Sequence, residues 1–333
     1  MAEAGTALLQ LRSLTVSYGS AERELRAVNS LDLELREREC LGVVGESGSG
    51  KTQLLLALLG LCSPAARLGG SIRYRGEELL GAAPARLQAL RGRRIAMVFQ
   101  EPMSALNPYL NIGTQLTEGA RRHLRLGRRA ACSRAAALLA TVQIDAPAER
   151  LGQYPHELSG GMRQRVMIAM ALMCDPEILL LDEPTTALDV TVQAQVLELL
   201  RAVRTRTGVA IVFVTHDLGA LASMADRVAV MYAGRLVEQA SAAGLYAAPC
   251  HPYTAGLLRS LPRLDLPVPA RLPSIPGQPP NLAELAIGCA FAPRCPLVHE
   301  RCTARPALRA LSEARSVACH FDGSATQIAE AWA

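Results

Sequence analysis

The sequence predicts an α/β fold. Its mixed sheet is built around a glycine-rich phosphate loop, with an antiparallel β subdomain before the loop, a helical insertion, and a cysteine-containing extension at the end. Three observations carry that prediction. The apolar run Cys40–Val44 enters the segment Gly45–Thr52, and the helix-forming run Gln53–Leu61 leaves it, the strand–loop–helix context that a phosphate loop needs. Further apolar runs at Ile95–Phe99, Ile178–Leu181 and Ala210–Val214 have the length of buried strands. From Asn111 to Cys174 the chain is rich in Ala, Leu, Arg and Gln, with no strand signal until Ile178, so a helical insertion separates two sheet strands.

Composition narrows the function classes. Of 333 residues half are hydrophobic and a fifth charged, enough to bury a substantial core. Aromatic residues make up only 4%, too few for a surface that stacks nucleic-acid bases. The net charge of +5 is modest, and the basic runs Arg91–Arg94 and Arg121–Arg129 read as solvated helix faces. No nucleic-acid partner is expected. Met1–Thr6 has an early acid and no basic leader, so no secretion signal is expected. The longest apolar runs, Leu54–Cys62 and Val166–Cys174, fall well short of the roughly 20 residues of a membrane span. A soluble, cytoplasmic chain is the expectation. Cys40, Cys62, Cys132, Cys174 and Cys250 are scattered and read as packing residues.

In chain order, residues 8–18 and 27–35 alternate as antiparallel strands around the polar turn Gly19–Glu22. Tyr18, at the end of the first, is a candidate platform for an adenine ring. The loop reads Gly45, Glu46, Ser47, Gly48, Ser49, Gly50, Lys51, Thr52. Its glycines free the backbone to aim successive N–H groups at phosphate oxygens, and the following helix offers its positive end. Lys51 then reaches the β- and γ-phosphates, and the Thr52 hydroxyl ligates Mg²⁺. Ser71–Arg75 reads as a strand and Pro84–Arg91 as a short helix. Ile95–Phe99 ends at Gln100-Glu101-Pro102, a polar stop at the strand edge where α/β sheets bind ligands. Ser159, Gly160 and Gly161 start an Ala/Met/Ile-rich helix; alone they are an ordinary N-cap, though a hydroxyl and free N–H groups also suit an anion.

Ile178–Leu181 runs into Asp182 and Glu183: an Asp there holds the Mg²⁺ water shell, and the Glu orients or deprotonates an attacking water. Thr185–Asp189 is a turn and Thr191–Thr205 a helix. The strand Ala210–Val214 ends in Thr215-His216-Asp217, which brings His216 to the same sheet edge as a γ-phosphate contact. His251–Thr254 opens a short helix, and Pro262, Pro267, Pro269, Pro273, Pro276, Pro279 and Pro280 mark an extended strap. Cys289, Cys295, Cys302 and Cys319 follow with gaps of five, six and sixteen residues. Read alone they are a Zn²⁺ site, with His299 and His320 as spare ligands, an iron–sulfur cluster, or unrelated thiols.

Tyr18, Gly45–Thr52, Gln100, Leu158–Gly161, Ile178–Glu183, Ala187-Leu188-Asp189 and His216 together resemble the nucleotide-binding subunit of ATP-binding-cassette (ABC) transporters, over about residues 8–260. The resemblance implies an ABC ATPase domain at 1–260, with its helical subdomain at about 103–175, and an extension at 261–333. It implies ATP with Mg²⁺ as cofactors: Tyr18 stacks on adenine, and Lys51 and the loop hold phosphate. Thr52, Gln100 and Asp182 serve the metal, Glu183 is the general base, and His216 supports the transition state. Ser159–Gly161 is then the signature loop that contacts ATP on a facing subunit, with Asp189 counted among the nucleotide-site residues. Met162 and Gln53 depart from the commoner Gln and hydroxyl residues, without removing a phosphate-binding group.

The tail, with Tyr154-Pro155-His156 and Thr185–Thr191, resembles the oligopeptide and dipeptide importers, whose relatives handle nickel or antimicrobial peptides. That implies a 4Fe–4S cluster on Cys289, Cys295, Cys302 and Cys319. It also implies a second cassette in a heterodimer, two transmembrane permease subunits, an extracytoplasmic substrate-binding protein, and a place on the cytoplasmic face of the membrane. A soluble cassette acting on DNA or ribosomes would need a coiled-coil insertion or a second cassette in the chain, and neither is present.

Overall fold

A computed structural model describes residues 7–19, 24–100, 105–186, 188–261, 274–285 and 287–332. Several expectations lie outside these residues: Met1–Thr6, the turn at Ser20–Glu22, Glu101 and Pro102, Ala187, and Pro262, Pro267, Pro269 and Pro273. The strands are β1 Ala7–Gly19, β2 Glu24–Arg36, β3 Cys40–Val44, β4 Arg67–Tyr74, β5 Glu77–Glu78 and β6 Ile95–Val98. After them come β7 Ile178–Asp182, β8 Ala210–Thr215, β9 Arg227–Tyr232, β10 Arg235–Ser241, β11 Arg309–Ser312 and β12 Arg315–Val317. The chain divides into two compact units.

One unit comprises Ala7–Leu35, Cys40–Leu80 and the chain from Val214 onward. Its first sheet is antiparallel in the order β2-β1-β4-β5. The alternation expected of β1 holds, with Leu9, Leu11, Leu14 and Val16 all buried. Strand β4 begins four residues before the expected Ser71 because pairing on β1 runs on from Leu9↔Tyr74 to Ser17↔Arg67, across a register shift between Arg12 and Thr15. Gly70 enables that shift: its φ is +91° and a Cβ there would stand 2.4 Å from the Ser13 carbonyl oxygen. In the second sheet of this unit β3 lies parallel to β9, from Leu41↔Arg227 to Val44↔Val230. Strand β10 pairs with β9, β12 with β10, and β11 with β12, all antiparallel. The C-terminal extension therefore widens the sheet that carries the phosphate loop.

The other unit includes Arg36–Glu39 and Gly81–Phe213. Strands β6 and β7 are parallel, from Ile95↔Ile178 to Val98↔Leu181, and β8 follows β7 in the sheet order. As expected, the chain between β6 and β7 is helical, with principal helices Ile112–His123, Arg128–Thr141 and Gly160–Leu172. Asn111 caps the first by accepting from Thr114 N at 2.8 Å, and Arg121, Arg122 and His123 sit in its last turn, where cations suit the helix dipole. The long helix Val190–Thr207 follows β7. Among the described residues no helix is long and apolar enough to cross a membrane.

Candidate active site

The sheet-bearing unit holds the phosphate loop. All five residues of β3 are buried, so the strand delivers Gly45 from a fixed base. A Cβ at Gly45 would lie 2.2 Å from the Met231 carbonyl oxygen, and one at Gly50, whose φ is +102°, 2.1 Å from that of Ala27. Neither position admits another residue. Gly50 caps the helix Lys51–Leu59. Lys51 is 6% exposed, and its Nζ donates to the carbonyl oxygens of Gly45 (2.7 Å) and Glu46 (3.0 Å). The ammonium is thus drawn across the loop entrance. Gly234 N donates to Ser49 O at 3.0 Å and Asn29 N to Gly234 O at 2.8 Å, which ties the loop to the β9–β10 turn and to β2. Among the described residues the buried Ser49 hydroxyl oxygen has no hydrogen-bond partner, a donor and acceptor suited to a polar ligand in the loop. Thr52 is exposed. Tyr18 is half-buried and donates from its hydroxyl to Gln53 Oε1 at 2.5 Å; burial raises its pKa. His216 is exposed just past β8, and Asp217 beside it caps the next helix by accepting from Ala220 N at 3.1 Å.

Residues that the sequence reading did not single out also hold the loop. Glu46 N donates to the Tyr253 hydroxyl at 2.9 Å. The Glu46 carboxylate accepts two bonds from Arg294, Nη1 at 2.6 Å and Nη2 at 2.9 Å. Arg294 is 8% exposed, and Nε donates to Pro276 O at 2.9 Å while Nη1 also reaches the Tyr232 hydroxyl at 3.3 Å. A guanidinium so buried costs several kcal/mol of desolvation unless paired and hydrogen-bonded, and here it is both. Glu46 and Arg294 are 248 positions apart, so no local pattern announces the pair.

In the other unit Asp182 ends β7 buried, and Glu183 follows with φ +47°. A left-handed glutamate is strained and persists only where its surroundings fix it. They do: Gln100 Nε2 donates to Glu183 Oε2 at 3.1 Å and Thr186 Oγ1 to the same oxygen at 3.0 Å. The fold therefore joins Gln100 to Glu183. Asp189 caps the helix Val190–Thr207, accepting from Thr191 N (3.0 Å) and Val192 N (2.9 Å). Ser159 caps the helix Gly160–Leu172 through Met162 N at 3.3 Å. A Cβ at Gly161 would press on the Val192 side chain at 2.9 Å, whereas one at Gly160 would meet nothing within 4 Å.

The four tail cysteines line one cavity of about 10 Å³ with His251, Phe291, His299 and His320. Gly288, with φ +111°, lets the chain enter it: a Cβ there would stand 2.6 Å from Cys302 O. Burial raises the Cys289 and Cys319 thiols and pushes Cys295 up to about 12, with the neighbouring cysteines acting in the same direction. His320 Nε2 lies 3.0 Å from Ala304 O. Among the described residues no three His, Cys, Asp or Glu side chains stand where they could hold a metal ion. Phe291, between the first two cysteines, packs on Tyr232 and Tyr253 with ring centroids 5.3 Å away in both cases. The same aromatic cluster that seats the thiol loop therefore carries Tyr253 to the phosphate loop.

Comparison with known proteins finds matches for both the cassette and the tail. Residues 28–186 match the ABC transporter family model, and residues 237–302 match that of the oligopeptide/dipeptide transporter C-terminal region. The oligopeptide transport ATP-binding protein OppD of Salmonella typhimurium is 47% identical over 94% of this chain and 93% of its own length. OppD of Haemophilus influenzae is 46% identical over 90% and 93%. Among solved structures, the ATP-binding cassette MJ0796, a dimer bound to ADP and Pi, has a TM-score of 0.63 at 26% identity, covering 70% of this chain and 98% of its own. The cassette cbiO1 of Clostridium perfringens has a TM-score of 0.61 at 25% identity, covering 72% and 91%. The chain belongs to the ABC transporter family, as an ATPase subunit of the oligopeptide/dipeptide transporter type.

Proposed function

We propose that this chain hydrolyses ATP to power the import of peptides, working at the cytoplasmic face of a membrane with two permease subunits, an extracytoplasmic binding protein and a second, different cassette. The observation that carries the reading is that similarity to oligopeptide ATP-binding proteins runs through both the cassette and the tail. The chemistry assigned to each residue is that of in-line attack of water on the γ-phosphate. Gly45–Thr52 binds the triphosphate through backbone N–H groups and Lys51, and Thr52 and Asp182 serve Mg²⁺. Glu183, held by Gln100 and Thr186, takes the proton of the attacking water, and His216 supports the transition state. Tyr18 carries the adenine. The open face of Ser159 and Gly160 is offered to nucleotide on the second cassette, and the neighbouring exposure of Val190 (83%) suits burial against a partner. Tyr109, 88% exposed, is a further apolar side chain suited to a permease.

We also assign Cys289, Cys295, Cys302 and Cys319 to a 4Fe–4S cluster. Four thiols line one cavity, the number and donor type that such a group takes, although the described side chains do not stand where they could hold a metal ion. Such a cluster would supply structural cross-linking of the tail.

The test is co-purification with the membrane subunits, followed by uptake of labelled di- and oligopeptides into vesicles. ATP-dependent uptake is expected; ATP turnover with no peptide uptake would overturn the substrate assignment. A brown anaerobic preparation absorbing near 400 nm is expected, and a colourless one with stoichiometric zinc would overturn the cluster.

A further inference from the structure

We infer that the cysteine-bearing extension is a brace for the phosphate loop, and that Arg294 is the positioning residue through which it acts. The inference rests on the ATPase reading above for the identity of the ligand.

Four observations converge on it. Arg294 is buried, and three of its nitrogens are bonded at once to Glu46 within the loop, to Tyr232 at the end of β9, and to Pro276 of the extension. Its backbone is fixed in the turn Ala292–Arg294, where Arg294 N donates to Phe291 O at 2.9 Å and Cys295 N to Ala292 O at 3.3 Å. Cys289 and Cys295 flank that turn and line the thiol cavity. The extension is itself anchored independently of the loop. Arg315 on β12 donates to the wholly buried Glu238 at 2.9 Å, and Trp332 Nε1 to Pro252 O at 2.9 Å. The extension thus has two anchors beyond Arg294 and presents one charged finger to Glu46.

The consequence is specific. Two backbone carbonyls that hold Lys51 belong to the first two loop residues, Gly45 and Glu46. Glu46 is pinned on its N–H by Tyr253 and on its carboxylate by Arg294. Releasing the carboxylate frees the residue that sets where the lysine and the first loop N–H groups point. Small misplacements of a binding group are expensive in affinity and rate. Arg294 touches none of the reacting atoms; it acts through Glu46.

Equilibrium MgATP binding to the full chain tests this, read beside the thermal midpoint of the same samples. Arg294→Met should weaken MgATP binding by about ten- to a hundred-fold, with Arg294→Lys, which keeps the charge but not the two-pronged geometry, in between. Glu46→Gln should weaken binding similarly, and the double variant should be no worse than either single one, because both remove the same link. Where Arg294→Met does not fold, the Lys and Gln variants decide alone. Folded variants with affinity within two-fold of wild type would overturn the brace. So would losses that simply multiply in the double variant. A wild-type chain that bound no MgATP at all would instead overturn the ATPase reading, and this inference with it.

Discussion

Among the stretches that place glycines at the start of a helix, the phosphate loop and Ser159–Gly161 are built oppositely. The phosphate loop is closed in by its own chain. Backbone oxygens stand 2.2 Å and 2.1 Å from where Cβ atoms of Gly45 and Gly50 would lie, Lys51 is buried, and the extension grips Glu46 from outside. The segment Ser159–Gly161 has a serine that serves its own helix and a Gly160 with open space around it. Glycine at Gly50 is required by what the chain packs against it. At Gly160 no described atom would meet a Cβ within 4 Å, so what would require glycine there is the facing nucleotide proposed above. One site is closed in by the described chain; the other is open.

The largest effects should come from testing that contrast directly. Gly50→Ala forces a side chain into left-handed backbone against the Ala27 carbonyl, and a loss of about 3 kcal/mol or more is expected in chemical denaturation, with MgATP binding gone. Gly160→Ala should leave the stability of the isolated chain within about 0.5 kcal/mol, while ATP turnover by the assembled transporter collapses. Equal turnover before and after Gly160→Ala would break the comparison, because the open glycine would then face nothing.

Next in size is Glu183→Gln. Removing a general base costs about 10²–10⁴-fold in turnover. The amide keeps the shape and can still accept from Gln100 and Thr186, so binding of MgATP should persist and only hydrolysis should fall. Loss of binding in parallel would instead mark Glu183 as a structural cap of the β7 edge.

How much of this was legible follows the same physical divide. Runs of four to six apolar residues announced β3, β6, β7 and β8, because a strand buried on both faces has no other way to be written. Ser159 announced a helix start because caps are local, whereas the cap at Asn111 was not singled out. The hairpin β9–β10 was not foreseen: Arg227–Tyr232 is a short apolar run that periodicity alone does not tell from a helix. Strand β11 is exposed along its whole length and exists only because β12 pairs with it, an edge that no hydrophobic pattern encodes. The four tail cysteines were visible as residues, but only the fold shows them around one cavity. Arg294 was passed over because a buried charge is recognisable only with its partner, and Glu46 lies in a different part of the chain.

The smallest prediction sharpens the contrast most. Asp189 and Ser159 are both N-caps, but Asp189 accepts two bonds near 3 Å and Ser159 one at 3.3 Å. Replacing each by alanine should therefore cost about 1–2 kcal/mol at Asp189 and about 0.5 kcal/mol at Ser159, by the usual range for caps. If Ser159 served only its helix, turnover of the assembled transporter would change little under Ser159→Ala, and Ser159→Asn, a comparably good cap, would be silent in both measurements. The open Gly160 beside it leads to a different expectation. Stability should fall slightly in Ser159→Ala and not at all in Ser159→Asn, while turnover falls strongly in both on the proposal that the serine hydroxyl contacts a facing cassette's nucleotide, which alanine cannot do and the longer amide would crowd. Turnover that tracked stability across the pair would reduce Ser159 to a cap and confine the proposed nucleotide contacts to the chain's own side of the site.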